Sequence, residues 1–168
     1  MRKIGQMFRF LIPIIALVAL VVFLVGAGRR RRAKEEEIRA KTRRHIEELW
    51  NKGNLDILDE LYTPDYVRHN APAFGGDIEG REANKQFVAG TRRDFPDLQI
   101  TEVEITVEGN TRTLRYTMRG THTSGAQVTF EGCSVAHWVH GKLVEEWEYL
   151  DALDIFQQLG FKLVPPEE

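Results

Sequence analysis

The residues best placed for proton transfer close the stretch from Gly141 to Asp151, which reads Gly-Lys-Leu-Val-Glu-Glu-Trp-Glu-Tyr-Leu-Asp. A turn glycine followed by strand-type residues predicts side chains alternating between two faces, with Leu143, Glu145, Trp147, Tyr149 and Asp151 on one of them. That face ends in a carboxylate beside two aromatic rings. A carboxyl held against aromatic walls is poorly solvated, so its pKa rises and it can exchange protons near neutral pH. The alternative for Asp151 is a cap on the short helix expected over Ala152 to Leu159. His122 falls on one strand face with Leu114, Tyr116 and Met118, where it could donate a hydrogen bond to an enolate formed as Asp151 removes a proton, or serve as a bonded core histidine. His69 stands beside a glycine-rich loop, either lining the same cavity mouth or bonding within that loop. Trp147, Tyr149, Tyr116 and Met118 are the expected pocket walls, with plain core packing as the alternative for the first two.

Other chemistries find less support. His69, His122 and Asp151 have the ligand types of a two-histidine, one-carboxylate iron site, but their spacing says nothing about convergence, and no metal is expected. His137 and His140, three apart on a strand, face opposite ways. Cys133 is the single cysteine, so no internal disulfide can form, and no activating partner for its thiol is evident. There is no phosphate loop, nucleophile elbow or dinucleotide fingerprint.

The elements that must position these residues follow from periodicity. Ile38, Thr42, Ile46, Leu49 and Trp50 mark one face of a helix from Ala33 to about Trp50, ended by Gly53. A short helix is expected over Leu55 to Leu61, a strand over Tyr66 to Asn70, a loop over Ala71 to Gly80, and a third helix over Arg81 to Arg93 that buries Ala83, Phe87 and Val88. Val103, Ile105 and Val107 alternate with polar residues up to the Gly109-Asn110 turn, while Leu98 and Ile100 have the opposite parity, which predicts a bulge near Thr101. Strands around Leu114 to Met118, over Gln127 to Val139 and from Gly141 onward complete a meander. Three helices and long antiparallel strands make an α+β domain with a pocket under the helices.

Before this domain, 19 uncharged residues between Arg9 and Arg29 have the length and composition of a transmembrane helix, 10–28. The flank 1–9 precedes it, and a basic collar, 29–34, follows and is placed to meet anionic headgroups. The richer basic flank is C-terminal, so a single-pass membrane protein with a cytoplasmic C-terminal domain is expected. A cleaved signal peptide ending near Val25-Gly26-Ala27, with export, is the alternative. Residues 1 to 34 hold 8 of the 23 basic residues and none of the 25 acidic ones, which leaves the rest of the chain strongly acidic and a poor partner for nucleic acid. Residues 162–168 are expected to be a polar tail.

Several motifs, in order along the chain, carry a resemblance. Phe95-Pro96-Asp97-Leu98, Gly120-Thr121-His122-Thr123, Gly141 to Trp147 with Asp151 four residues on, and Gln158-Leu159-Gly160 resemble the SnoaL-like polyketide cyclase family. His69-Asn70-Ala71-Pro72 and the loop through Gly80 are similar to the corresponding segment of that family, and the resemblance covers roughly residues 35–161. It implies a cone-shaped fold of the nuclear-transport-factor-2-like superfamily, in which a curved sheet and three helices enclose a cavity for a small apolar molecule. It implies acid/base chemistry by Asp151 with no metal or organic cofactor, in a cyclase, isomerase or hydrolase, and a homodimer; a non-catalytic ligand-binding or assembly module on the same fold is the alternative. The tight hairpin at Thr123 to Gln127 departs from the family's longer covering segment and favours a generic hydrolase, isomerase or binding role over a bulky polyketide.

Overall fold

The computed structural model of the protein describes residues 2–162 and 164, with side chains from residue 19 onward. It divides into two compact units, residues 1–36 and 37–168. The first is helical from Arg2, as the beginning of α1 (Arg2–His45). The apolar run 10–28 and the charged stretch after it therefore belong to one uninterrupted helix; the side chains of that run up to residue 18 lie outside the described ones. Among the described residues no helix is long and apolar enough to cross a membrane, which corrects the expected transmembrane helix and single-pass membrane localisation. The collar is also less bare than its sequence implies, because Arg31 Nε donates to Glu35 Oε1 at 2.8 Å, one turn on. Of the expected tail, all but Lys162 and Val164 lies outside the described residues.

In the second unit the expected helix face is buried: Ile38, Thr42, Ile46, Leu49 and Trp50 are all in the interior. The helix does not stay α-helical to its end. From Ile46 to Asn51 it is a π-helical turn, with Lys52 N–H donating to Glu47 C=O at 3.0 Å, five residues back. Widening the turn brings residues five apart onto one face. His45 and Trp50 accordingly both turn inward, with ring centroids 6.5 Å apart.

The remaining elements are α2 (Ile57–Leu61), β1 (Tyr62–His69), a single 3-10 turn (Pro72–Phe74), β2 (Ile78–Glu79), α3 (Arg81–Asp94), β3 (Gln99–Glu108), β4 (Thr111–Thr121), β5 (Gln127–Val139), β6 (Lys142–Leu150) and α4 (Ala152–Gln158). They bear out the α+β expectation. One six-stranded sheet runs β2-β1-β6-β5-β4-β3. Neighbouring strands are antiparallel except β1 and β6, which are parallel. The turn at Ser124-Gly125 is closed by Gly125 N–H donating to His122 C=O at 2.8 Å.

Two bulges decide which side chains face the helices. In β3 the register shifts between Glu102 and Glu104, close to the expected break. Val103 is left 42% exposed, while Ile100 and Val107 on either side are buried. The second bulge was not expected: in β6 Leu143 pairs with Trp138 and Glu145 with His137, so Val144 is an extra residue. A bulge of one residue inverts the parity of all that follows. Leu143 is buried as expected, but beyond it Glu146 and Glu148 point inward, and Trp147 and Tyr149 point out, the latter 60% exposed. The face anticipated from strict alternation is therefore the outer one.

Arg92, in the last turn of α3, joins these parts. Its guanidinium donates to the carbonyls of Trp50, Asn51, Leu98 and Pro96, tying the end of the π-helical turn to the start of β3. Arg92→Met keeps the aliphatic packing but leaves these carbonyls without their charged donor. It is expected to lower the free energy of unfolding by about 3 kcal/mol, read by urea denaturation, and a change below about 0.5 kcal/mol would contradict this assignment.

Candidate active site

Between the sheet and the helices lies a cavity of ≈220 Å³. Its walls are mainly apolar: Ile46, Trp50, Phe87, Phe95, Ile100, Leu114, Met118, Phe130 and Ile155 all border it. Phe74, half-exposed, lines it from the loop after β1 and stacks on Phe156 of α4 at 5.7 Å. The polar groups are Arg68 and Asn70 at the end of β1, Tyr116 from β4, Ser134 from β5, Glu146 and Glu148 from β6, with His45 above and Thr91 and Asp94 from α3.

Several of these join Arg112 and Tyr66, which are buried but do not border the cavity, in one ion network. Arg112 Nη2 donates to Glu146 Oε1 at 2.5 Å, and its Nη1 to Ser134 Oγ at 2.6 Å. Tyr66 O–H donates to Glu146 Oε2 at 2.9 Å, and Arg68 Nη1 lies 3.5 Å from the same oxygen. Arg68 Nη2 donates to Glu148 Oε2 at 2.8 Å, and Tyr116 O–H to Glu148 Oε1 at 2.6 Å. The Arg68 guanidinium also lies over the rings of Trp50 and Phe87, at 5.5 and 5.2 Å.

Proton affinity divides the two glutamates. Burial pushes both carboxyls up. At Glu146 the charges of Arg112 and Arg68 outweigh burial, and the group falls to about 2. Glu148 is raised to about 7, because burial dominates the pull of Arg68 and the neighbouring Glu146 charge adds to it. Burial likewise lowers His45 to about 4, so it is neutral at physiological pH; its Nε2 is hydrogen-bonded to Tyr62 Oη at 2.8 Å. Tyr116 is raised well above 10 by burial and then by Glu148, so it remains a phenol. The cavity thus holds one carboxyl poised to gain or lose a proton near neutrality, and one hydroxyl in contact with it.

The residues singled out in the sequence are dispersed. Tyr116 and Met118 line the cavity as expected. Asp151 is exposed and caps α4, accepting from Asp154 N–H at 3.0 Å, which is the capping alternative. His122 sits in the β4–β5 turn, its Nδ1 accepting from Ser124 N–H at 3.1 Å. His69 is on the outer face of β1, stacked on Trp147 at 4.9 Å. His69, His122 and Asp151 each have their own separate partners, and the chain places Trp147 and Tyr149 outside the cavity wall.

The groups that the sequence reading passed over had a signal. Arg112 has the same strand parity as Leu114, Tyr116 and Met118, and a charged residue on an apolar face announces a buried pair. What hid Glu146 and Glu148 was the bulge at Val144.

Sequence also positions Tyr116. Gly132 of β5 pairs with it across the sheet, and a Cβ at position 132 would collide with its Cζ and come within 2.5 Å of its hydroxyl. The glycine is there for space: the phenol lies over its bare backbone.

The network makes stability depend on pH in a definite sense. For Glu148 the folded pKa lies above the ordinary 4.5, so its contribution is full below about pH 4.5 and is lost as pH rises through about 7. His45 has the opposite sign: its folded pKa is depressed from 6.5, so its contribution is full above 6.5 and is lost as pH falls through about 4. Glu148→Gln removes the first and leaves the second. Across this window the variant should gain roughly 3 kcal/mol more stability with rising pH than the wild type does. Denaturant titrations at several pH values measure it, and parallel curves for the two proteins would refute the assignment.

Comparison with known proteins agrees with this architecture. The family model described as SnoaL-like polyketide cyclase matches residues 40–159. Wild-type IdmH from Streptomyces antibioticus, a candidate polyketide cyclase, is 25% identical with a TM-score of 0.65, over 74% of this chain and 99% of that one. A candidate polyketide cyclase from Bacillus cereus ATCC 10987 is 26% identical with a TM-score of 0.66, over 74% and 80%. An LEH-like epoxide hydrolase from M. tuberculosis, 17% identical with a TM-score of 0.64 over 75% and 91%, shares the fold. No curated protein is a significant match. The inward-facing sheet, the helices over it and the match across 40–159 lead to one conclusion: the fold is nuclear-transport-factor-2-like, and the chain belongs to the SnoaL-like polyketide cyclase family.

Proposed function

We propose that the protein is an acid/base enzyme of the cyclase, isomerase or hydrolase type, acting on a small, neutral, mostly apolar carbonyl compound, with Glu148 as the group that takes and returns the proton. The observation that supports this most directly is the position of Glu148: at the polar end of an otherwise apolar cavity, with a proton affinity near neutrality. Arg68 fixes one carboxyl oxygen and Tyr116 the other, so the group is oriented before a ligand arrives. Tyr116 stays a neutral phenol and donates its one O–H hydrogen bond to Glu148 Oε1, so it keeps the carboxyl in place while the proton moves. No cofactor enters this reading, since each role is filled by a side chain of the chain itself. The cavity of ≈220 Å³ favours a substrate of one or two rings over a large polyketide.

Exchange of α-protons tests the chemistry without knowledge of the product. In D2O, the wild type should accelerate deuterium incorporation into small cyclic ketones such as cyclohexanone, followed by proton NMR, with an inflection near pH 7. Glu148→Gln should lower that rate by about 100-fold or more. Asp151→Asn discriminates between the two carboxylates: retained exchange supports Glu148, and lost exchange returns the role to the cap residue. Absence of any acceleration by the wild type, with ketone binding intact, would favour the non-catalytic binding module.

A further inference from the structure

His69 lies outside the cavity and outside the chemistry proposed above, yet both of its ring nitrogens meet carboxylates. Its Nδ1 is 2.8 Å from Asp77 Oδ2, and its Nε2 is 2.9 Å from Glu145 Oε1. A neutral imidazole has one N–H, so it can donate to only one of two carboxylates and must turn a lone pair toward the other. Both contacts are bonds only when the ring is an imidazolium. Trp147, stacked on it at 4.9 Å and 17° between planes, favours the same charged form.

The two carboxylates belong to different parts of the fold. Glu145 is on β6, in the sheet, whereas Asp77 is on the loop between β1 and β2. That loop carries Phe74, half-exposed at the cavity edge and stacked on Phe156 of α4. Gly75, Gly76 and Gly80 flank Asp77 with φ of 94°, 74° and 87°, so backbone rotation costs little there. Up to Asp77 the other side-chain tie among the described residues is Asn70 Nδ2 to Gly76 C=O, at 3.3 Å, a long neutral bond; past Asp77, Asn84 Nδ2 holds the carbonyls of Ile78 and Gly80 at 3.4 and 2.9 Å. Of the two ties up to Asp77, the charged one through His69 is the stronger.

We propose that His69, as an imidazolium bridging Asp77 and Glu145, latches the 71–77 loop so that Phe74 stays over the edge of the cavity, and that loss of one proton from His69 releases Asp77 and lets the loop open. Asp77 is the partner released: it is 53% exposed on a glycine-rich loop, whereas Glu145 is less exposed and fixed in β6. The ionisable groups around the ring are Asp77 from the loop, Glu145 from β6, and His137 of β5, whose Nδ1 is 3.7 Å from the second oxygen of Glu145. The bond to Glu145 raises the pKa of His69 above the usual 6.5; burial opposes it by less, and the bond to Asp77 and the charges of both carboxylates add to the rise. The latch is therefore closed below that ordinary value and released as pH rises through the raised one. This inference does not depend on Glu148 acting as a catalyst.

The test is the contact between the Phe74 and Phe156 rings in the full-length chain, followed as a nuclear Overhauser effect at about pH 5.5 and about pH 9. In the wild type the cross-peak should be strong at the lower pH and should fall at least threefold at the higher. Asp77→Asn, which removes the charge at an exposed position without adding bulk, should show the weak cross-peak at both. His137→Gln should retain the wild-type response, which separates His69 from its titratable neighbour. A cross-peak unchanged with pH in the wild type, or a normal pH response in Asp77→Asn, would overturn the latch whether or not Glu148→Gln affects ketone exchange.

Discussion

Two guanidinium groups and two carboxyl groups lie beneath the helices of this small domain, and the rest of the structure accommodates them. Removing such charges from water costs several kcal/mol for each ion unless every one finds a partner in good geometry. Glu146 meets that condition by accepting from Arg112 on β4 and Tyr66 on β1. Arg68, also on β1, meets it by bridging toward Glu146 and Glu148. The network therefore ties β1, β4 and β6 at one depth. This matters most for β1, whose parallel pairing with β6 is broken by a register shift between Tyr62 and Val67. A slip of one residue in any of these strands would leave a charge buried without a partner, so the ions specify register as well as chemistry.

The same constraint explains which parts of the fold were legible in the sequence. Apolar periodicity located the helix ending near Trp50, the α3 helix, the β4 and β5 strands and the turns between them, because most of the side chains buried there are apolar; the exceptions are Arg112 in β4 and Asn84 in α3, where Ala83 and Phe87, expected to be buried, are only partly so. It also placed Tyr116 and Met118 on the inner wall. It failed where one inserted residue carries no compositional mark. Val144 is as good a strand residue as its neighbours, so strict alternation ran through it and turned Trp147 and Tyr149 inward in place of Glu146 and Glu148. Strict alternation sets Glu146 and Glu148 opposite Trp147, and only the partner charges, Arg68 and Arg112 on other strands, identify those two glutamates as interior. The π-helical turn is a comparable case: the residue types from Ile46 to Asn51 are those of an ordinary helix, and the Trp50 and Asn51 carbonyls at its end are held by Arg92 from another element. The capping role of Asp151 was legible as an alternative, and it is the one the backbone at the start of α4 adopts.

Glu146 and Glu148 show how a strand can make two identical side chains chemically different. They lie on one face, two residues apart, within the same network. Glu146 has two guanidinium groups beside it and remains ionised; Glu148 shares one of them and faces a charge of its own sign. The like charge would raise the second group wherever the pair was placed, but burial sets the size of the effect, since the interaction strengthens as the effective dielectric falls. An ion pair that serves the architecture thus produces, as its neighbour, a carboxyl with proton affinity near neutrality. Structure and reactivity are in this sense one arrangement, and a substitution at Arg112 or Glu146 cannot alter one without the other.

Asn70 extends that arrangement to the loop. Its Oδ1 accepts from Arg68 Nε at 2.9 Å, while its Nδ2 reaches the Gly76 carbonyl. The loop is consequently held from inside by a residue that reports on the ion network and from outside by the His69 bridge. A ligand that draws Arg68 toward its own oxygen would strain the inner tie, whereas a change in His69 protonation acts on the outer one. The two ties meet in residues 71–77, ahead of β2, where Gly75 and Gly76 permit large rotations at little cost. Movement of Phe74 then requires no rearrangement of the sheet, and the rigid part of the domain can keep Glu148, Arg68 and Tyr116 in place while the cavity edge opens and closes.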